Sequence, residues 1–144
     1  MDSLESGLSR FTDAQAPIYG QVRAELVAGR KTSHWMWFVF PQLRALGRST
    51  TSQHYGLEGV AEARAYWQHP LLGQRLAQCC GVLLAAQGRT ALEVFGSVDA
   101  MKLRSCMTLF DVVAPEAKIF RAMLEKYFHG EPDPATCALL ADAT

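Results

Sequence analysis

No run in this 144-residue chain approaches the roughly 18 consecutive apolar residues that cross a bilayer, and no charged segment followed by an apolar stretch opens it. The expectation is a soluble, unexported protein without a membrane partner. Charge of one sign is not in excess either: fourteen Lys and Arg balance fourteen Asp and Glu. Such a balance gives no global positive field, which argues against nonspecific nucleic-acid binding. Charged residues reach only 19%, below the usual fraction of about 25%, and a thinly charged surface is compatible with a homodimer.

Cysteine is scarce, and Cys79, Cys80, Cys106 and Cys137 include no pair at the two-residue spacing of zinc or redox sites. They read as reduced residues packing as small hydrophobes, in a cytosolic protein. Cys79 and Cys80, adjacent on a helix, point roughly 100° apart, so one of them at most is expected to face the core squarely. His34, His54, His69 and His129 include no pair four apart on one helix, so neither a metal nor a cofactor is expected. The Gly-x-Ser-x-Gly nucleophile elbow is missing, as are alternating strands with hairpin turns, internal repeats and low-complexity linkers. These absences leave a mainly α protein: one compact domain over residues 1–144, with about six to eight helices, little or no β-sheet and a flexible segment at residues 1–10.

Helical signals are plentiful. Thr12 with Gln15 reads as a capping box opening a helix over about 12–28, with Ile18, Val22 and Leu26 at helical spacing and Gly29 as its stop. Trp35–Phe40 is too short for periodicity to separate helix from strand; a short helix is favoured, capped by Thr32 or Ser33 and limited by Pro41. Gly47–Ser52 is a polar loop. Leu57–Gln68, ended by His69-Pro70, and Leu71–Gln87 are expected to form a helical hairpin. Thr90–Phe95 is a short apolar piece ended by Gly96, after which Ser97 or Asp99 caps a helix to about Val113. Pro115 opens another to Gly130, and Asp133-Pro134 opens a last one around Cys137 and Leu140.

Chemistry concentrates in three places. The thirteen residues Arg30–Gln42 set Trp35, Trp37 and His34 beside a cationic pair. Buried tryptophan needs a partner for its N–H, and aromatic walls with a few polar groups are what a ligand pocket is made of. From this segment Lys31, Ser33, Trp35, Trp37 and Gln42 are candidate ligand contacts, and the plain alternative is a core helix with a basic flank. In the second place, Ser49, Ser52 and Tyr55 could hold an anion, or simply cap a helix. In the third, Lys102, Arg104 and Ser105 share a helix with Thr108 and could close a pocket or face solvent.

The run Gly29–Leu43, with Phe11, Ala14-Gln15, Tyr19, the Gly47–Tyr55 loop, His69-Pro70, Phe95-Gly96, Asp99, Lys102-Leu103 and Met107–Phe110, resembles the signature of a bacterial family catalogued as domain of unknown function 1810. Some members carry a calpastatin label. The resemblance covers nearly the whole chain and implies no established activity. His54-Tyr55 after a polar loop is also similar to the superfamily of NAD- and ADP-ribose-associated proteins that contains ADP-ribosyl glycohydrolases. There an acidic catalytic residue precedes the His-Tyr pair, whereas this chain has Gln53, and an amide cannot act as a general base.

The resulting expectation is a small-molecule pocket for a nucleotide or ADP-ribose-like anion, with Trp35 or Trp37 stacking and Lys31 and Arg104 pairing with phosphates. Glycosidic hydrolysis is the first catalytic expectation, with His34, Glu62 or Asp99 as acid or base. The competing reading is a noncatalytic interaction or homodimerisation domain that exposes Trp35, Trp37, Phe38 and Phe40.

Overall fold

Pro17 decides how the chain begins. A computed structural model describes residues 7–142 and shows two helices where the sequence suggested one, α1 (Ser9–Gln15) and α2 (Tyr19–Ala28). Proline lacks the N–H that a continuous helix needs and clashes with the preceding turn, so the chain breaks between them. Thr12 consequently lies inside α1, where its hydroxyl donates to Ser9 O at 3.1 Å instead of capping. Residues 7–10, expected within a flexible segment, take part in this first helix and its approach; residues 1–6 lie outside the described residues. Gly29 closes α2 at φ 78°, as its position implied.

The remaining elements are α3 (Met36–Val39), a 3-10 turn at Arg44–Leu46, α4 (Thr50–Tyr55), α5 (Val60–Gln68), α6 (Leu72–Ala85), α7 (Ala91–Val113), a 3-10 turn at Pro115–Ala117, α8 (Ile119–Phe128) and α9 (Pro134–Asp142). The domain is all-α, with nine helices and no strand among the described residues. A single parallel bridge links Leu43 and Leu57, through Arg44 N–H to Leu57 O at 2.7 Å and Leu57 N–H to Gln42 O at 2.9 Å. No described helix is long and apolar enough to cross a membrane.

Helix α7 is the axis. It packs against α5, α8 and α9, while α6 packs on α2, α5 and α8. Leu103, Cys106, Met107 and Phe110 on α7 and Leu76 and Leu83 on α6 supply the centre of one continuous core. Cys79 and Cys80 are both fully buried, against the expectation for adjacent helical residues, because α6 is covered on more than one side. Burial pushes the Cys79 thiol up to about 11 and those of Cys80 and Cys106 well above the ordinary value, which leaves them as protonated packing groups.

The α5–α6 hairpin depends on Gly73. A Cβ there would stand 2.0 Å from Trp67 O, a backbone atom at the end of α5. Gly73→Ala is expected to lower stability by about 3 kcal/mol, at the upper end of overpacking costs. The measurement is the urea midpoint at unchanged slope; a loss under about 1 kcal/mol would show that the two helices part freely.

Two further departures from the sequence reading bear on the site. The Gly47–Ser52 stretch is not all loop, since Ser49 caps α4 through a reciprocal box with Ser52. Thr90 likewise caps α7 with Glu93, and the helix is broken internally at Gly96, at φ 80° and ψ 170°.

Candidate functional site

Glu25, which the sequence reading passed over, organises the segment that carries the tryptophans. The residue is 5% exposed. Oε1 accepts from Thr32 N–H at 2.7 Å, Ser33 N–H at 3.0 Å and Trp35 Nε1 at 3.0 Å. Oε2 accepts from Ser33 Oγ at 2.6 Å and Gln21 Nε2 at 2.7 Å. Burial alone would push this carboxyl up, but the donors from Ser33, Gln21 and the Thr32 and Ser33 amides outweigh it and hold it well below the ordinary range. Thr32 and Ser33 therefore serve Glu25 and do not cap α3, whose N-cap is Trp35. The clue in the sequence was Glu25 one position before Leu26 and three after Val22, at the edge of an apolar face.

This arrangement removes several expected contacts. Trp35 is 1% exposed and Phe40 1%, so neither can stack a ligand or form an exposed aromatic patch. Ser33 is committed to Glu25. Lys31 Nζ lies 2.7 Å from Asp99 Oδ2, donates to Ser33 O at 2.6 Å and sits 5.0 Å from the centre of the Trp35 ring; its side chain is 7% exposed. It is a buried tether and not a phosphate anchor. Arg104 turns the other way, donating to Glu131 O at 2.9 Å and Pro132 O at 3.0 Å.

What the fold does bring together is Trp37, Gln42, Tyr55, Lys102 and Ser105. A cavity of about 340 Å³ opens between the 3-10 turn at Arg44–Leu46, helix α7 and the start of α9, lined by Gln42, Leu46, Val98, Met101, Lys102, Ser105, Asp133 and Ala135. A narrow cleft of about 10 Å³ adjoins it, lined by Trp37, Phe40, Gln42, Ser52, Tyr55, Gly56 and Lys102. Gln42 and Lys102 border both. The Leu43–Leu57 bridge positions Gln42, and the break at Gly96 starts the α7 segment that carries Val98, Met101, Lys102 and Ser105.

Lys102 is the centre of the electrostatics. Its ammonium lies 4.5 Å from the Trp37 ring centroid and 3.6 Å from Asp99 Oδ1, beyond hydrogen-bond length, while Lys31 holds the other oxygen of that carboxylate. Its side chain is 20% exposed. Among the described residues, neither the Lys102 ammonium nor the Gln42 side-chain amide, the Trp37 indole N–H or the Tyr55 hydroxyl has a hydrogen-bond partner. By contrast the Ser105 hydroxyl donates to Met101 O at 3.1 Å, and Ser52 and Ser49 hold each other at 2.9 Å. Asp133 Oδ2 accepts from Thr136 N–H at 2.9 Å and Thr136 Oγ1 at 2.6 Å, capping α9 as its sequence implied.

The three expected catalytic residues do not converge. Asp99 touches the site through Lys102, and exposed His34 lines neither cleft. Glu62 is 6% exposed and paired with Arg10, whose NH2 and NH1 reach Oε1 at 3.0 Å and Oε2 at 3.2 Å. Gln53, where the ADP-ribose-associated superfamily has an acid, donates its amide to Gly47 O at 2.5 Å and Arg44 O at 3.4 Å, a structural tie.

The fold and the cleft define an all-α, single-domain protein with a mostly apolar cavity whose mouth carries uncommitted donors. The chain belongs to the family described as "Protein of unknown function (DUF1810)", whose model matches residues 5–140. It is similar to the conserved hypothetical protein Rv1873 from Mycobacterium tuberculosis, known from a crystal structure, with 52% identity, 93% of this chain and 96% of that chain covered, and a TM-score of 0.91. No curated protein matches it.

Proposed function

We propose that the chain is a small-molecule-binding domain whose ligand is an anion of nucleotide or ADP-ribose type, held in the cavity between the Arg44–Leu46 turn, α7 and α9. One observation carries the reading: the Lys102 ammonium, 3.6 Å from Asp99 Oδ1 on a side chain 20% exposed, stands without a hydrogen bond at the junction of two clefts, beside a Gln42 amide that also has none among the described residues. Polar groups in a largely apolar cavity of a few hundred Å³ are the usual makings of a ligand site. Leu46, Val98, Met101 and Ala135 offer the surface for the body of the ligand, and Ser105 a further acceptor.

Hydrolysis of a glycosidic bond at this place would draw on Asp99, which pairs with Lys102; Glu62 holds Arg10 instead. The four free thiols support a reducing compartment such as the cytosol. The test is a thermal-shift series with nucleotides, ADP-ribose, NAD and sugar phosphates. A true ligand at about 100 times its dissociation constant stabilises the fold by about 2.7 kcal/mol. The shift is expected to disappear in Lys102→Met and to persist in Arg104→Ala; a flat series with the native chain rejects the reading.

A further inference from the structure

Resting on the ligand-binding reading, we infer that the cavity selects a compact ligand with one anionic group at one end of an apolar or planar body, and discriminates against molecules with two phosphates. The supply of cations sets the limit. Lys31 is held by Asp99 and Ser33 O, and Arg104 by the backbone of Glu131 and Pro132. Lys102, whose pair with Asp99 is the longer one at 3.6 Å and lacks a hydrogen bond, is the one of these three that borders both clefts and can meet an anion there.

The clefts fix which way the ligand lies. The narrow one, about 10 Å³, has room for about one water-sized group. Besides Lys102 and Gln42 it is bordered by Trp37 and Tyr55, whose indole N–H and hydroxyl have no partner among the described residues. One oxygen of a carboxylate or phosphate monoester fits there, with the rest of the head group at the Lys102 junction. The body then extends into the larger cavity along Leu46 and Met101. Asp133 borders only that larger cavity, oriented by Thr136. Its negative charge repels a second phosphate and accepts a hydrogen bond from an amine or hydroxyl at the far end. Trp37 is not a free stacking platform, because Lys102 covers one face of its ring.

A nucleoside monophosphate and a bicyclic aromatic carboxylate share this chemistry, and calorimetry on the full chain separates them. The probes are adenosine, AMP, ADP-ribose and naphthalene-1-carboxylate. AMP or the carboxylate is expected to bind at least about ten-fold tighter than adenosine and than ADP-ribose. Lys102→Met should remove at least about ten-fold of that affinity, and Trp37→Phe, which keeps a ring but deletes the N–H, about five-fold. Circular dichroism checks that both variants fold. ADP-ribose binding tightest of the four would overturn the single-anion inference while leaving the ligand-binding reading standing. Equal affinity for adenosine and AMP would overturn it too, and a native chain that binds none of the four rejects both.

Discussion

Glu25→Ala is expected to cost about 4 kcal/mol of folding stability, a large part of the roughly 5–15 kcal/mol that holds a domain of this kind together. Five donors converge on that carboxylate, and the bond from Trp35 Nε1 is fully buried. Alanine leaves them unpaired in a place that water enters poorly, and the cost of an orphaned donor exceeds the net gain from a made bond. Glu25→Gln isolates the charge, since it keeps a similar shape. The folded carboxyl sits well below its ordinary value of 4.5, so its contribution is fully present above that pH and is lost as pH falls through the lower folded value. The stability gap between the native chain and Glu25→Gln, followed by urea unfolding, should therefore be constant near neutrality and shrink below about pH 4.5. A gap that does not change down to about pH 2 would refute the assignment of the lowered carboxyl to this network.

Glu62→Ala is expected to cost about 3 kcal/mol, because it leaves the largely buried Arg10 guanidinium without its counter-charge. That guanidinium ties three segments, donating to Gly7 O, to His54 O at 2.8 Å and Gly56 O at 3.0 Å as well as to Glu62, whose Oε1 also accepts Glu58 N–H at 3.0 Å. Arg10→Met with Glu62→Leu should recover part of the loss, since breaking a buried pair costs more than replacing both members. Urea unfolding reads the stability. AMP binding by the folded fraction should be unchanged, which separates this pair from any catalytic role; loss of binding at full stability would restore Glu62 as a site residue.

Local chemistry was legible in the sequence wherever a single residue decides a boundary. Gly29, His69-Pro70 and Asp133-Pro134 end or begin helices where their backbone preferences require. Pro17 carried the same kind of signal and marks the break between α1 and α2. Capping by Ser49 and Ser52 was one of two open readings, because a six-residue helix is too short to show a period that would decide it. The site was legible in part: Trp37, Gln42, Tyr55, Lys102 and Ser105, far apart in sequence, border the same two clefts. Lys31, Trp35 and Arg104 looked equivalent to them in composition. What separates the two groups is position: Lys31, Trp35 and Arg104 are drawn away from the clefts by Asp99, Glu25 and the Glu131–Pro132 backbone, partners fixed only by the tertiary path.

The break in α7 bears on what shapes the cavity. Gly96 is exposed, and a Cβ at this residue would meet nothing within 4 Å, so what favours glycine at the break is the positive φ and not a lack of room. Val98, Met101, Lys102 and Ser105 all belong to the segment after the break. A substitution at position 96 that straightened the helix would swing one whole wall of the cavity without altering a residue that lines it. The shape of this cavity thus depends on a residue that does not line it, and a comparison confined to the lining would miss such a change.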